Sequence, residues 1–203
     1  MKTITAIIAA CGLLVAGGPA WAEGSSEAGR SKAEQCAGCH GEGGNSETPI
    51  FPKLAGQHVG YLTRQLSDFK AQKRVDPSMN AITGALSDQD IEDLAAYYAS
   101  QKIQPGQAGE NPAGKRLYFL GHASAGVPAC SGCHSPSGAG NEPAGFPVLR
   151  GQHAAYVVKA LGDFKSRERA NDPREIMRDV AAKLTGEEMN AVADFISGMA
   201  TPR

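Results

Sequence analysis

The pentapeptide CAGCH at residues 36–40 recurs as CSGCH at residues 130–134, and the two copies use four of the five cysteines in the 203-residue chain. Each copy has the Cys-x-x-Cys-His pattern, in which two thiols can bond porphyrin vinyl groups and the following imidazole can ligate the iron. We therefore predict two covalently bound c-type haems. The predicted attachment residues are Cys36, Cys39, Cys130 and Cys133, and the predicted iron ligands within the motifs are His40 and His134.

A Cys-x-x-Cys pair also occurs in zinc knuckles, redox dithiols and disulfides. Structural zinc would need further ligands at suitable spacing, and each half offers only one more histidine of similar placement, His58 and His153. A thioredoxin-like dithiol is typical of a βαβ pattern, which the sequence around both motifs lacks. These alternatives are weaker than haem attachment but stay open at this point.

The two halves of the chain form an internal repeat. Residues 51–58 (FPKLAGQH) align with residues 146–153 (FPVLRGQH), and the offset between the halves grows only from 94 to 98 along the chain. Small insertions in loops explain that growth, so a duplication is more economical than coincidence. We predict domains at residues 23–104 and 105–203, joined by a Pro/Gly-rich linker at about 103–111.

Both halves have helical patterns. A helix capped by Asn111 is predicted to begin at Pro112 and end at Gly121, with a counterpart from about Ser26 to Gln35. The last helix of each half is predicted to begin at a capping residue, Ser87 or Thr185. A middle helix carries apolar residues on one face, namely Val59, Leu62, Leu66 and Phe69. No segment has the alternation of a strand, so we predict an all-α fold of two tandem domains, each wrapped around one haem.

The sixth iron ligand separates an electron carrier from a catalyst. Met79 is the single methionine of the first half, and it closely follows an Asp-Pro pair. Of the three methionines in the second half, Met177 follows a matching Asp-Pro pair, although two extra residues intervene. Met189 aligns with an isoleucine and is predicted to be core, and Met199 lies near the end of the chain. We assign Met79 and Met177 to the irons, with core filling as the alternative.

The repeated Cys-x-x-Cys-His, Phe-Pro-x-Leu-x-Gly-Gln-His and Asp-Pro…Met pattern resembles the cytochrome c4 family over essentially the whole chain after the leader. The resemblance implies two class I cytochrome c domains with His/Met haems whose edges face each other. It also implies that backbone carbonyls at Pro52 and Pro147 accept hydrogen bonds from the histidine ligands. The implied partners are membrane respiratory complexes, such as a quinol-oxidising complex and a terminal oxidase, and possibly small redox proteins.

Three functions follow from these residues. With His and Met on each iron, the chain is expected to carry electrons and to catalyse no reaction of a small-molecule substrate. A dihaem peroxidase is the enzymatic alternative, and it needs one open iron. A dihaem subunit of a flavoprotein dehydrogenase is the third.

His58 and His153 are expected to be hydrogen-bonded structural residues, with an extra iron ligand or a proton-coupled site as alternatives. Tyr61 and Tyr156 are expected to pack near haem.

The first residues of the chain indicate export. Lys2 precedes an apolar run, and Ala20-Trp21-Ala22 is a small-x-small cleavage site, so residues 1–22 are predicted to be a signal peptide removed in the periplasm. A lipoprotein cleavage box that would make Cys11 the first residue is the alternative. No other stretch is long and apolar enough to span a bilayer, which leaves loose membrane-surface association open.

Charge is distributed unevenly. After removal of the leader the chain has 19 basic and 21 acidic residues, which gives no indication of nucleic-acid binding. Residues 23–104 have a net charge of −3 and residues 105–203 a net charge of +1. We predict that an acidic redox partner docks on the second domain. The alternative is that these charges only form solvated helix faces and guide no partner. The basic residues expected to contribute are Lys165, Arg167, Arg169, Arg174 and Arg178.

Overall fold

A computed structural model describes residues 24–104, 106 and 111–199. The predicted signal peptide, the alternative lipidation site and most of the predicted linker lie outside the described residues. In the first half the α-helices are α1 (Ser26–Lys32), α2 (Glu34–His40), α3 (Val59–Lys70), α4 (Pro77–Gly84) and α5 (Asp88–Ser100). In the second half they are α6 (Pro112–Leu120), α7 (Ser131–His134), α8 (Ala154–Ser166), α9 (Ile176–Lys183) and α10 (Gly186–Ser197).

The all-α prediction is confirmed. Within residues 24–104, 106 and 111–199, extended pairing is limited to two isolated bridges, His122 with Val127 and Asn141 with Phe146. The predicted caps are also present. Ser87 and Thr185 each accept a hydrogen bond from the backbone of the third helical residue, which returns a carboxylate to the cap. None of the described helices is long and apolar enough to cross a membrane.

Each half packs its first helix across its last, and a glycine sets the distance of that crossing. In the first half α1 packs on α5, and a Cβ atom added at Gly29 would lie 2.0 Å from the carbonyl oxygen of Asp93. In the second half α6 packs on α10, and a Cβ at Gly114 would lie 1.9 Å from the carbonyl oxygen of Ala191. Any larger side chain would force these helices apart, so the duplicated fold repeats its tightest contact.

Each half has its own apolar core. The first core is formed by residues of α3 and α5 together with neighbouring loops, including Leu62, Ile91, Leu94 and Tyr98. The second is larger and includes Met189, which is 5 % exposed, as predicted from its alignment with Ile91. Each core lines part of the cavity described below, so the two cores position the site in addition to stabilising the helices.

Two sequence predictions differ from the structure. The first helix was expected to run to about Gln35, but α1 ends at Lys32 and α2 begins at Glu34, with Ala33 as the shared capping residue. Val59 was expected on the buried face of the middle helix, yet it is 40 % exposed. It lies in the first turn of α3, where the helix extends past the core that buries Leu62 and Phe69.

Candidate functional site

One cavity of about 990 Å³ is lined by both halves of the chain. Its walls are mainly apolar side chains of α3, α4, α8 and α9, together with the Cys-x-x-Cys-His segments. The structure brings every predicted site residue to this cavity: Cys36, Cys39, His40, Met79, Cys130, Cys133, His134 and Met177. A large apolar space that contains both motifs matches the requirements of two flat macrocycles.

Each motif histidine is the last residue of its helix and is oriented by a backbone carbonyl. The His40 ring donates from Nδ1 to the carbonyl oxygen of Pro52 at 2.9 Å, and the His134 ring donates to that of Pro147 at 3.0 Å. Both expected proline contacts are therefore confirmed. Because the carbonyl must accept, Nδ1 carries the proton and Nε2 keeps its lone pair for a metal. Burial lowers the pKa of both histidines, which favours the neutral imidazole that metals bind.

The cysteines differ in character from a redox dithiol. None of the four described cysteines forms a disulfide. Burial raises the pKa of Cys36, and it raises the pKa of Cys130 to about 11. Catalytic dithiols instead have a thiol with a lowered pKa. Within the described residues, no group of three or more Cys, His, Asp or Glu side chains could hold a metal ion, so the zinc alternative has no ligand set there.

An aspartate positions the methionine in each half. Asp76 caps α4 and accepts hydrogen bonds from the backbone N–H groups of Ser78 and Met79, at 3.1 and 3.0 Å. Asp172 accepts from the N–H of Met177 at 3.0 Å, although two more residues separate the pair. A short 3₁₀ turn at Pro173–Glu175 takes up the extra length, with positive φ at Arg174 and Glu175. The insertion is therefore accommodated without loss of the Asp-to-Met contact.

The two Gly-Gln-His segments bind the halves to each other. His58 donates from Nε2 to the carbonyl oxygen of Ala139 at 2.9 Å, and His153 donates to that of Ser46 at 2.8 Å. Both histidines are hydrogen-bonded structural residues, as expected from the sequence. Their partners lie in the opposite half, and this crossing could not be predicted because the repeat specifies each half separately.

Six basic and four acidic side chains line the cavity. Arg64, Arg74 and Arg169 all line it, and within the described part of the chain none of them has a carboxylate within 4 Å. The Nε of Arg64 is buried without a hydrogen-bond partner among the described residues. Buried cations need counter-charges. Haem has two propionate carboxylates, so the cavity fits haem in its charge as well as in its apolar lining.

Tyr61 and Tyr156 also line the cavity, as expected. The hydroxyl of Tyr156 accepts a hydrogen bond from Arg74 at 3.1 Å, and that of Tyr61 accepts one from Arg169 at 2.9 Å. Burial opposes ionisation of Tyr156, but the charges of Arg74 and Arg169 outweigh burial and lower its pKa to about 8. The tyrosines are therefore part of the interface between the halves, in addition to being cavity walls.

The basic cluster predicted on the second half is smaller than expected. Arg169 is only 7 % exposed because it inserts between the halves, and Arg178 is half-buried in an ion pair with Asp172 at 2.6 Å. The prediction of five docking residues is wrong for these two. The exposed members of the set are Lys165, Arg167 and Arg174.

Comparison with known proteins gives consistent matches. A sequence model of the cytochrome c family matches residues 26–102 and again residues 113–200. Cytochrome c4 of Pseudomonas aeruginosa is 46 % identical over 98 % of both chains. A thiosulfate dehydrogenase electron acceptor of Stutzerimonas stutzeri is 34 % identical over 81 % of this chain and 78 % of its own. The crystal structure of reduced recombinant cytochrome c4 from Pseudomonas stutzeri superposes with a TM-score of 0.85 at 46 % identity, covering 87 % of this chain and all of the other.

Proposed function

The chain belongs to the cytochrome c4 family and is an electron carrier with two covalent haems, and from that membership we propose that it passes electrons from a quinol-oxidising complex to a terminal oxidase. The observation that supports the electron-carrier role within this proposal is the repeated arrangement of the site. Each half presents a histidine and a methionine to the shared cavity, both held by backbone hydrogen bonds.

Two sets of residues would hold each haem, one bound to the porphyrin and one bound to the iron. Thioether bonds would form at Cys36, Cys39, Cys130 and Cys133. The irons would be held by His40 with Met79 in the first half and by His134 with Met177 in the second. When bound, each haem supplies a one-electron couple at its iron, and a methionine ligand raises its potential. With two protein ligands held in this way, each iron would have no position for a substrate, which supports the role of an electron carrier over that of a peroxidase.

The surrounding residues keep this ligation fixed. Pro52 and Pro147 hold the imidazole planes through their carbonyls, and Asp76 and Asp172 hold the backbone of the methionines. Ligands fixed from both sides need little rearrangement when the charge of the site changes. Low rearrangement favours rapid electron exchange, which is what a carrier requires.

The proposal includes a location and a domain division. Covalent haem attachment in bacteria takes place outside the cytoplasmic membrane, so we place the mature chain in the periplasm, beginning at Glu23 after removal of residues 1–22. The domains would be residues 23–104 and 105–203, with the linker at about 103–111. Loose association with the membrane surface would bring the carrier close to respiratory complexes.

A second candidate function is electron acceptance from a periplasmic dehydrogenase. The relative from Stutzerimonas stutzeri, whose name describes a thiosulfate dehydrogenase electron acceptor, supports it. The same dihaem module would then receive electrons from an enzyme in place of a quinol-oxidising complex. A flavoprotein dehydrogenase is the other enzyme class that the sequence leaves open.

The two candidates are separated by reducing the purified, haem-loaded chain in two ways. Respiratory membranes with quinol are expected to reduce it rapidly, and oxidase-containing membranes are expected to reoxidise it. Thiosulfate with a thiosulfate dehydrogenase is the competing donor. Rapid reduction by the dehydrogenase alone, with no response to quinol and membranes, would overturn the first proposal in favour of the second.

A further inference from the structure

Two arginines cross between the halves in nearly symmetric fashion. Arg74 stacks over Phe69 of its own half, with the guanidinium 4.5 Å from the ring centre, and reaches Tyr156 of the other half. Arg169 stacks over Phe164 at the same distance and reaches Tyr61. The loops that carry the arginines match as well, since the second residue before each has a positive φ. These matching arginine contacts are therefore explained by the duplication.

The symmetry ends at Gln65. Its side-chain oxygen accepts hydrogen bonds from Arg74 at 2.9 Å, from Arg169 at 2.9 Å and from Asn171 at 3.0 Å. The aligned residue of the second half is Ala160, which has no acceptor. Both interface guanidiniums therefore donate to one side chain of α3, in the first half, whereas on α8 Arg74 donates to the hydroxyl of Tyr156 and Ala160 offers no shared acceptor.

Asn171 is the second departure from the repeat. It is an extra residue in the loop before Asp172, with no counterpart before Asp76 in the first half. Its side-chain oxygen accepts from Nε of Arg169 at 3.1 Å, and its amide donates to Gln65 and to Asp68 at 2.7 Å. Two unrelated departures from the duplication thus meet in one hydrogen-bonded cluster between the halves, and Gln65 is only 6 % exposed there.

The cluster has two positive charges and one negative charge, since the carboxylate of Asp68 accepts a hydrogen bond from Asn171. Two guanidiniums share one neutral oxygen, and like charges this close repel each other. The cluster is stable in spite of that repulsion because each cation stacks on a ring and hydrogen-bonds to uncharged acceptors. Gln65 binds both guanidiniums to α3, while the guanidinium of Arg169 also contacts Phe164 of α8.

We propose that Gln65 and Asn171 are positioning residues that hold both interface guanidiniums on the first domain and thereby give the two haem sites unequal electrostatic surroundings. The inference rests on the proposed function, since it requires two haems. A positive charge favours the reduced form of a nearby redox centre because the added electron is negative. The cluster therefore raises the potential of the first domain's site relative to the value it would have without Gln65.

The test is an exchange of the asymmetry in the haem-loaded protein. Four proteins are compared by spectroelectrochemical titration: the wild type, Gln65→Ala, the exchange variant Gln65→Ala with Ala160→Gln, and Gln104→Ala as a control that removes an exposed carboxamide. The potentials are assigned to domains with Met79→Ala, which displaces that of the first domain. We expect Gln65→Ala to change the equilibrium distribution of one electron between the two haems several-fold in favour of the second domain. A tenfold change in that distribution corresponds to about 59 mV in the difference between the two potentials. The exchange variant is expected to change the distribution further in the same direction.

Thermal unfolding is measured on the same variants to separate positioning from simple stabilisation. A lower melting temperature with unchanged electron sharing would overturn the proposal. If Gln65→Ala does not fold, Asn171→Ala replaces it, and the same absence of a shift would overturn the proposal. Failure of the wild type to show two His/Met haems would instead refute the proposed function, so the two failures are distinguishable.

Discussion

The side-chain amide of Gln57 in the first half pairs with the backbone of Val148 in the second as a neighbouring strand would. Its oxygen accepts from the N–H of Val148 at 2.9 Å, and its nitrogen donates to the carbonyl of Val148 at 3.0 Å. Gln152 forms the reciprocal pair with Lys53, with both distances 2.9 Å. All four groups are buried, so the halves are joined by hydrogen bonds that water cannot replace.

Gln57→Ala is expected to weaken the union of the two domains. The substitution leaves the N–H and C=O of Val148 buried without partners, and each such group costs roughly 1–3 kcal/mol. Urea unfolding of the haem-loaded protein should show the loss, with Gln104→Ala as the exposed control. Equal stability of the two variants would contradict the assigned role of Gln57.

The fold and the presence of the candidate ligands at one cavity were predictable because they depend on local and repeated signals. The Cys-x-x-Cys-His motifs, the caps at Ser87 and Thr185, and the Asp-Pro pairs before Met79 and Met177 all lie within a few residues of the structure they determine. The interface was not predictable in this way. A Gly-Gln-His triplet looks identical whether its side chains bond within their own domain or cross to the other.

The misplacement of Arg169 has the same origin. A sequence shows that basic residues are close together in the chain, and it does not show which of them a second domain covers. The signal that was available is the mismatch between halves: Gln65 aligns with Ala160, and Asn171 has no counterpart. Departures from an otherwise regular repeat point to the places where the two copies meet unequal environments.

Met79→Ala and Met177→Ala are expected to act on one haem each. Loss of the thioether should open that iron to added ligands and lower its potential, while the other haem stays nearly unchanged. The measurement is the thioether-to-iron charge-transfer absorption, which each substitution should roughly halve. Met189→Ala is the matched control, since Met189 is buried in the second core. An unchanged absorption in both ligand variants would refute the axial assignment.

The mature chain is expected to carry two haems and to begin at Glu23. Intact-mass measurement on protein produced with haem-attachment machinery should show two haem additions on that sequence. Cys133→Ala should retain haem only through a single thioether, with a shifted absorption band, because one of the two thiols of its motif is lost. A bound zinc ion or a single haem in the wild type would contradict the prediction.

Asp93 is expected to make the stability of the first domain depend on acid. It is 3 % exposed and accepts from Lys32 at 2.6 Å and from the N–H of Ser25 at 2.8 Å. The hydrogen bond from Lys32, followed by that from Ser25, lowers the pKa of Asp93 below its ordinary value of 3.8. Because the pKa is lower in the folded state, ionised Asp93 makes its full contribution to the free energy of unfolding above pH 3.8. That contribution is lost as the pH falls below this value.

Asp93→Asn should therefore lower the unfolding free energy at pH 7 by roughly 1–2 kcal/mol, since charged hydrogen bonds are replaced by neutral ones. The difference from wild type should shrink below about pH 4. Asp88→Asn is the control, because the Asp88 side chain is 94 % exposed. A difference that stays constant from pH 7 to pH 3 would contradict the assigned ionisation.

The exposed basic residues of the second domain are expected to guide an acidic partner. Arg167 and Lys165 lie on the surface near the end of α8, while the first domain has a net charge of −3. The double charge reversal Lys165→Glu with Arg167→Glu should slow electron exchange with one partner several-fold at low salt and little at high salt, because exposed charges are screened. Lys102→Glu, also exposed but in the first domain, is the control. Stopped-flow rates with quinol-supplied membranes and with oxidase membranes provide the measurement. If the electron-exchange rates with both partners fall equally, or if the decrease does not depend on salt concentration, docking is not polarised between the domains.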